Sequence, residues 1–271
     1  MNLLLKNIKQ LVGITDNSDA IKKGKAQGEV KILDNAFMVI RHDLIESFGP
    51  MSECPELSMD SHDCSGRLVL PMYVDSHTHL VFAESRSGEM NQRLHGKSYQ
   101  EIAQAGGGIL NSASKLHTMS EQQLYDDALA RLESAIKQGT GAIEIKSGYG
   151  LTIEDEMKML RVIRVLKQTS PIPIKSTFLG AHALPAEFKN NKGAYMYLVT
   201  EEMLPRIAGE GLADYVDIFC EKGYFDLDDL KQVIEAGDKH GLKAKVHVNQ
   251  FSTFGAVKMA SEMGALSVDH L

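Results

Sequence analysis

From Leu68 onward the chain repeats one pattern: a short apolar run, a polar loop, an amphipathic stretch, then another apolar run. The runs are 68–74, 142–146, 172–179, 215–220, 243–248 and 265–269. Several are near-continuous in apolar residues, as strands are when both faces of a parallel sheet are covered. The stretches between them carry helix signals. Residues 120–138 open on Ser120 and Gln123, spaced for a capping box, and stop at Gly139. Leu124, Ala128, Leu132, Ala135 and Ile136 share one face of that helix. Residues 152–168, 226–240 and 252–263 open in the same manner at Thr152, Asp226 and Ser252. Alternating units of this kind build either a (β/α)8 barrel or an open doubly wound sheet.

What stands at the strand ends separates the two. Asp75, His77 and His79 end the first run, and Lys146, Ser147 and Tyr149 the second. His182 follows the third, Cys220 and Glu221 the fourth, His247 and Gln250 the fifth, Asp269 and His270 the sixth. A barrel gathers such ends around one mouth, whereas an open sheet strings them along an edge. No glycine-rich phosphate fingerprint follows the first run, so a dinucleotide site or P-loop has no support. The pattern predicts a TIM-type α/β barrel domain over 68–271, with six βα units present. Residues 1–67 differ. Leu3–Ile8 and 36–40 read as strands, while 47–50 and 65–66 read as turns. This predicts a small β-rich unit, a β-sandwich with too little apolar content for a core of its own.

Composition removes other classes. Of 271 residues, 43% are apolar and 24% charged, an ordinary globular balance. A net charge of -7 disfavours a nucleic-acid partner. No apolar window approaches about 18 residues, so no membrane span is expected, and the opening residues lack a secretory signal's features. Cys54, Cys64 and Cys220 show no metal-type spacing and fit the reduced thiols of a cytoplasmic protein.

The strongest local signal is Val74-Asp75-Ser76-His77-Thr78-His79-Leu80. Side chains alternate along an extended segment, so His77 and His79 project to one side. Two imidazoles so placed can hold one divalent ion at roughly 2.0–2.1 Å each. The plainer reading is two histidines that merely share a strand face; the barrel mouth around them favours the metal. His247 is the best candidate for a third ligand. Three nitrogens leave positions for a carboxylate and water, the open arrangement of a catalytic site, where bound water of pKa about 7 supplies hydroxide. Gly106-Gly107-Gly108 has no following Lys-Ser/Thr and reads as a loop over the mouth. Cys220 reads as a buried small apolar residue.

Longer strings then carry a family resemblance. They are Asp75–Phe82 (DSHTHLVF), Arg86, Ser98–Ile102 (SYQEI), Gly106–Ile109 (GGGI), Glu144–Leu151 (EIKSGYGL), Thr177–Pro185 (TFLGAHALP), Glu201–Pro205 (EEMLP) and Asp269–Leu271 (DHL). In this order they resemble the metal-dependent amidohydrolase superfamily and, within it, the imidazolonepropionase family, along essentially all of 1–271. The resemblance implies hydrolysis of 4-imidazolone-5-propanoate to N-formimidoyl-L-glutamate in histidine degradation. It implies one Zn or Fe ion on His77, His79 and His247, substrate binding by Arg86, Tyr99, Tyr149 and His182, and a homodimer.

An Arg fork beside a phenol suits the substrate's propionate, and His182 could hydrogen-bond the ring carbonyl oxygen. Gln250 stands where some relatives carry Glu. An amide cannot take a proton, so Gln250 is assigned to substrate positioning and His270 to proton transfer. Met72 stands where the family usually has Gly, which touches only local backbone. Phe219-Cys220-Glu221 stands where bimetallic relatives are expected to place a carbamylated Lys, implying one metal. The family's fourth ligand, an Asp, is expected beyond Leu271, within roughly 130–140 further residues holding two more βα units. Two competing readings remain at this point. One is another one-metal hydrolase or deaminase of a small heterocycle, which needs no anion receptor. The other is an inactive truncated fragment.

Overall fold

The computed structural model describes residues 2–15, 22–98, 101–102 and 107–271. The chain divides into two units, Met1–Met72 and Tyr73–Leu271. In the first, the long apolar strand β1 (Asn2–Val12) pairs antiparallel with β2 (Ile32–Arg41). Strand β3 (Leu44–Pro50) forms the far edge on β2, and β4 (Ser61–Asp63) and β5 (Leu68–Val69) run parallel to β1. A bulge between Leu5 and Ile8, with Asn7 at φ 54°, turns β1 over midway. Leu4 therefore packs with Phe37 and Val39, while Ile8 and Leu11 pack with Ala36, Met38 and Cys64.

Three expectations change here. The unit does bury apolar groups of its own, because the bulge lets one strand supply two of them. Residues 47–50, expected as a turn, lie in β3, where Gly49 pairs with Phe37 and leaves room for its ring. Leu68 and Val69, expected to open the first barrel strand, pair with Gln10 and Leu11. Pro71, which has no amide to donate, stands just beyond them, and the units divide after Met72 rather than after 67.

In the second unit, β6 (Tyr73–Thr78), β7 (Thr140–Lys146), β8 (Ile174–Ala181), β9 (Tyr215–Cys220), β10 (Lys243–Val248) and β11 (Ser267–Asp269) form one sheet. Each strand pairs in parallel with the next in sequence. The order never reverses, as a doubly wound sheet requires. The sheet instead curls: the His77 ring at the end of β6 lies 5.0 Å from the His270 ring just past β11. It is a nearly closed barrel wall.

Among the described residues the helices include α1 (Ser87–Leu94), α2 (Gly108–Thr118), α3 (Glu121–Lys137), α4 (Ile153–Thr169), α5 (Lys192–Tyr197), α6 (Leu204–Gly209), α7 (Leu227–Lys239) and α8 (Ala256–Glu262). Leu132, Leu160, Ile163 and Leu230 pack against Ile145 and Val216 in one continuous core. Each such burial contributes about 1.5–3 kcal/mol. Asp226 and Asp229 form a complete capping box on α7. On α3 only half forms, since the Gln123 side chain meets the Ser120 hydroxyl rather than its amide. The helix expected from Ser252 begins instead after Gly255, at φ 96°, because the Ser252 amide and hydroxyl are bound to Glu221. Among the described residues no helix is long and apolar enough to cross a membrane.

Candidate metal centre

At the end of β6, Thr78 turns away from its two neighbours and donates its hydroxyl to the Glu144 carbonyl on β7 at 2.6 Å. Alternation then aims His77 and His79 the other way, where His247 of β10 joins them. One ligating nitrogen from each lies within 4.8 Å of the other two, and His79 Nε2 is 3.3 Å from His247 Nε2. His247 Nδ1 lies 2.8 Å from Asp217 Oδ2. The carboxylate can only accept, so Nδ1 carries a proton, and the neutral ring that ligation requires offers Nε2 to the metal. Burial, then neighbouring His182, His247 and His77, hold His79 well below the ordinary imidazole range. Metal ligation requires neutral imidazoles of this kind. His79 Nδ1 is buried with no hydrogen bond among the described residues, and His77 Nδ1 lies 3.0 Å from Asp269 Oδ2. These residues fit a single metal ion with nitrogen-rich ligation, a set that suits zinc and iron alike.

Around this group lies a buried polar layer that the sequence reading did not identify. Asp217 on β9 accepts from His247 and from Lys146 Nζ at 2.9 Å, and Lys146 also reaches Glu144 Oε1 at 2.9 Å. Burial pushes the Asp217 carboxyl up, but neighbouring His247 and Lys146 outweigh it and hold it far below the usual range. Burial likewise opposes the Lys146 charge, yet Asp217 and Glu144 keep its ammonium above its ordinary value. The available signal was a lone acid inside the apolar run Tyr215–Cys220.

His182, past β8, stacks on His79 with ring centres 5.1 Å apart and planes 13° from parallel. Its Nδ1 is 2.8 Å from the Gly148 carbonyl, so Nδ1 holds the proton. Burial, and after it neighbouring His247, lower its pKa to about 3. Neutral His182 thus presents Nε2 as an acceptor, not the donor to a ring carbonyl that the sequence suggested. The Tyr149 ring lies 5.6 Å from His79, and the Arg86 guanidinium sits 5.9 Å over the Tyr149 ring. Arg86, Tyr149, His79, Phe82, Ser112, Ser85 and Glu84 line a cavity of about 150 Å³, and Arg86 also lies 3.6 Å from the Glu89 carboxylate.

His270 stands 5.1 Å from His247, its backbone at φ 73°. Gln250 is exposed in the turn after β10, with no hydrogen bond to the histidine group among the described residues. Tyr99 and Gly106 lie outside the described residues. Cys220 is buried, and its thiol is pushed up to about 12 by burial first and Asp226 next, which keeps it protonated. Glu221 is spent on the loop after β10 and its own neighbour, accepting from the Phe251, Ser252 and Lys222 amides and from the Ser252 hydroxyl.

No protein-family model matches the chain. Among curated proteins it is 50% identical over 272 residues to an imidazolonepropionase of Christiangramia forsetii, covering 100% of this chain and 66% of the relative. An imidazolonepropionase of Flavobacterium psychrophilum gives the same figures. One from Shouchella clausii is 38% identical over 275 residues, covering 99% of this chain and 62% of the relative. The chain thus spans just under two thirds of these relatives' length. Among solved structures, a Klebsiella pneumoniae 5-methylcytosine deaminase with 5-fluorocytosine matches 96% of this chain and 55% of its own, at TM-score 0.64 and 14% identity. A guanine deaminase from C. acetobutylicum, with guanine in its active site, matches 100% of this chain and 62% of its own, at TM-score 0.60 and 13% identity. At such identities the likeness concerns the fold.

Proposed function

The chain belongs to the imidazolonepropionase family, on the amidohydrolase fold, and from that membership we propose that it hydrolyses 4-imidazolone-5-propanoate to N-formimidoyl-L-glutamate. Water adds across the ring's acyl C–N bond, its oxygen joining the acyl carbon and a proton passing to the released nitrogen. His77, His79 and His247 would hold a zinc or iron ion, which would supply Lewis acidity and acidify water.

Arg86, with Tyr149 beneath it, receives the propionate as a charge-assisted fork. His182 accepts a ring N–H through its bare Nε2 and so orients the heterocycle against His79. His270 carries the proton to the leaving nitrogen, and the Gln250 amide positions the substrate without taking a proton. The reaction is placed in the cytoplasm, in keeping with three free thiols.

The observation that carries this reading is the Arg86–Tyr149 pair beside the histidines, since a nucleobase substrate offers no carboxylate to it. In the test, the zinc- or iron-loaded chain is incubated separately with imidazolone propionate, cytosine and guanine. N-formimidoyl-L-glutamate as the sole product supports the reading. A deaminated base, or no product from loaded chain, overturns it.

A further inference from the structure

Lys146 has no contact with substrate in the scheme above, yet it is fully buried, and burying a lysine is costly unless its charge is put to use. It sits between two carboxylates, Glu144 Oε1 and Asp217 Oδ2, each at 2.9 Å. Asp217 in turn grips His247 twice. Its Oδ2 takes the ring Nδ1–H at 2.8 Å, and its Oδ1 takes the His247 amide at 3.0 Å and the Ile218 amide at 2.6 Å. Ring and main chain of His247 are thus bound to the two oxygens of one carboxylate, whose remaining partner is Lys146. Glu144 is anchored as well, accepting from the Thr177 hydroxyl through its side chain and from Thr78 through its carbonyl. Lys146 therefore links the backbone that carries His77 and His79 to the carboxylate that aims His247.

We propose that Lys146 is a positioning residue of the metal centre, acting through Asp217 to fix the ring angle and Nδ1–H tautomer of His247 so that Nε2 faces the metal. The role rests on the metal reading given above. Carboxylates that orient a ligating histidine are typically worth about 10–100-fold in metal affinity. The structure extends that dependence one residue further, to the cation that holds the carboxylate in place.

The test measures zinc affinity of the 271-residue chain against a chromophoric chelator, for wild type, Lys146→Met, Asp217→Asn and the double variant. Circular dichroism checks that each is folded. About tenfold or greater weakening is expected for each single change. The double variant should be no weaker than the worse single, because the two residues act along one line. In parallel, ¹⁵N spectra of the imidazoles, assigned by loss of one signal in His247→Asn, should show the Nδ1–H tautomer of His247 in metal-free wild type. They should show a tautomer mixture in Lys146→Met. A Lys146→Met chain that binds zinc within twofold of wild type overturns this role alone, as do losses that multiply in the double variant. A wild-type Nε2–H tautomer overturns it without any variant having to fold. Wild-type chain that binds no zinc overturns the metal reading and this role with it.

Discussion

A carbonyl oxygen can only accept a hydrogen bond, and that fixes which nitrogen His182 offers to a ligand. The Gly148 carbonyl that holds it belongs to a residue at φ 108°, where a Cβ would stand 2.9 Å from His182 Nδ1 and 2.9 Å from the Leu179 carbonyl. Gly148→Ala should therefore push His182 off its stack on His79. We expect kcat/KM to fall at least about tenfold while zinc affinity stays within threefold, the residue being outside the ligand set; steady-state kinetics and chelator competition check both. Arg86→Met should act on binding. Losing a charge-assisted contact worth about 1.5–3 kcal/mol raises KM roughly 10–100-fold and leaves kcat within a few-fold. A substrate analogue lacking the propionate should bind wild type and variant equally.

His77, His79 and His247 were legible in the sequence because strand ends and a two-residue spacing place them by geometry alone. Tyr149 and His182 were legible as strand-end residues. Their roles, like that of Arg86, came only through resemblance. Asp217 and Glu144 were not legible. An acid in an apolar run looks like a flaw until its partner on another strand is known, and Lys146 faces it only once β7 and β9 are laid out in the sheet.

Between α4, β8 and β9, one carboxylate does the joining. Asp214 accepts from Lys167 at 2.8 Å and Lys175 at 2.9 Å, and from the Ser176 amide at 2.9 Å. Burial pushes its pKa up, but Lys167, Lys175 and Ser176 outweigh that and bring it to about 2, against an ordinary 3.8. The folded state thus holds its proton more weakly than the unfolded state. The stabilisation is fully present above 3.8 and is lost as pH falls through about 2. Asp214→Asn should destabilise the chain by about 1–3 kcal/mol at neutral pH and flatten the stability curve across that window. Urea unfolding at a series of pH values measures it, and an unchanged acid slope would contradict the assignment.

At this scale the helix caps were readable wherever a polar side chain serves its own helix, as Thr152 and Asp226 do. Ser252 misled because Glu221, thirty-one residues earlier, competes for it. The 68–74 run misled because period and hydrophobicity do not say which sheet a strand will join.

The whole second unit is a wall of six parallel strands in unbroken sequence order, and that order was implied by polar residues recurring at six strand ends. Its curvature was inferred from the need to bring those residues together, and the approach of His77 to His270 supplies it. The bulge at Asn7, which gives the first unit its two apolar clusters, was not marked by the apolar run of 3–8, which reads only as a strand. All of the chemistry proposed for the molecule depends on a metal at the point where β6 and β10 converge. X-ray absorption at the zinc edge of the loaded chain reads that point directly. One zinc per chain, with imidazole nitrogens at roughly 2.0–2.1 Å, is the expected result. Sulfur at about 2.3 Å, or zinc well below one per chain, would contradict it.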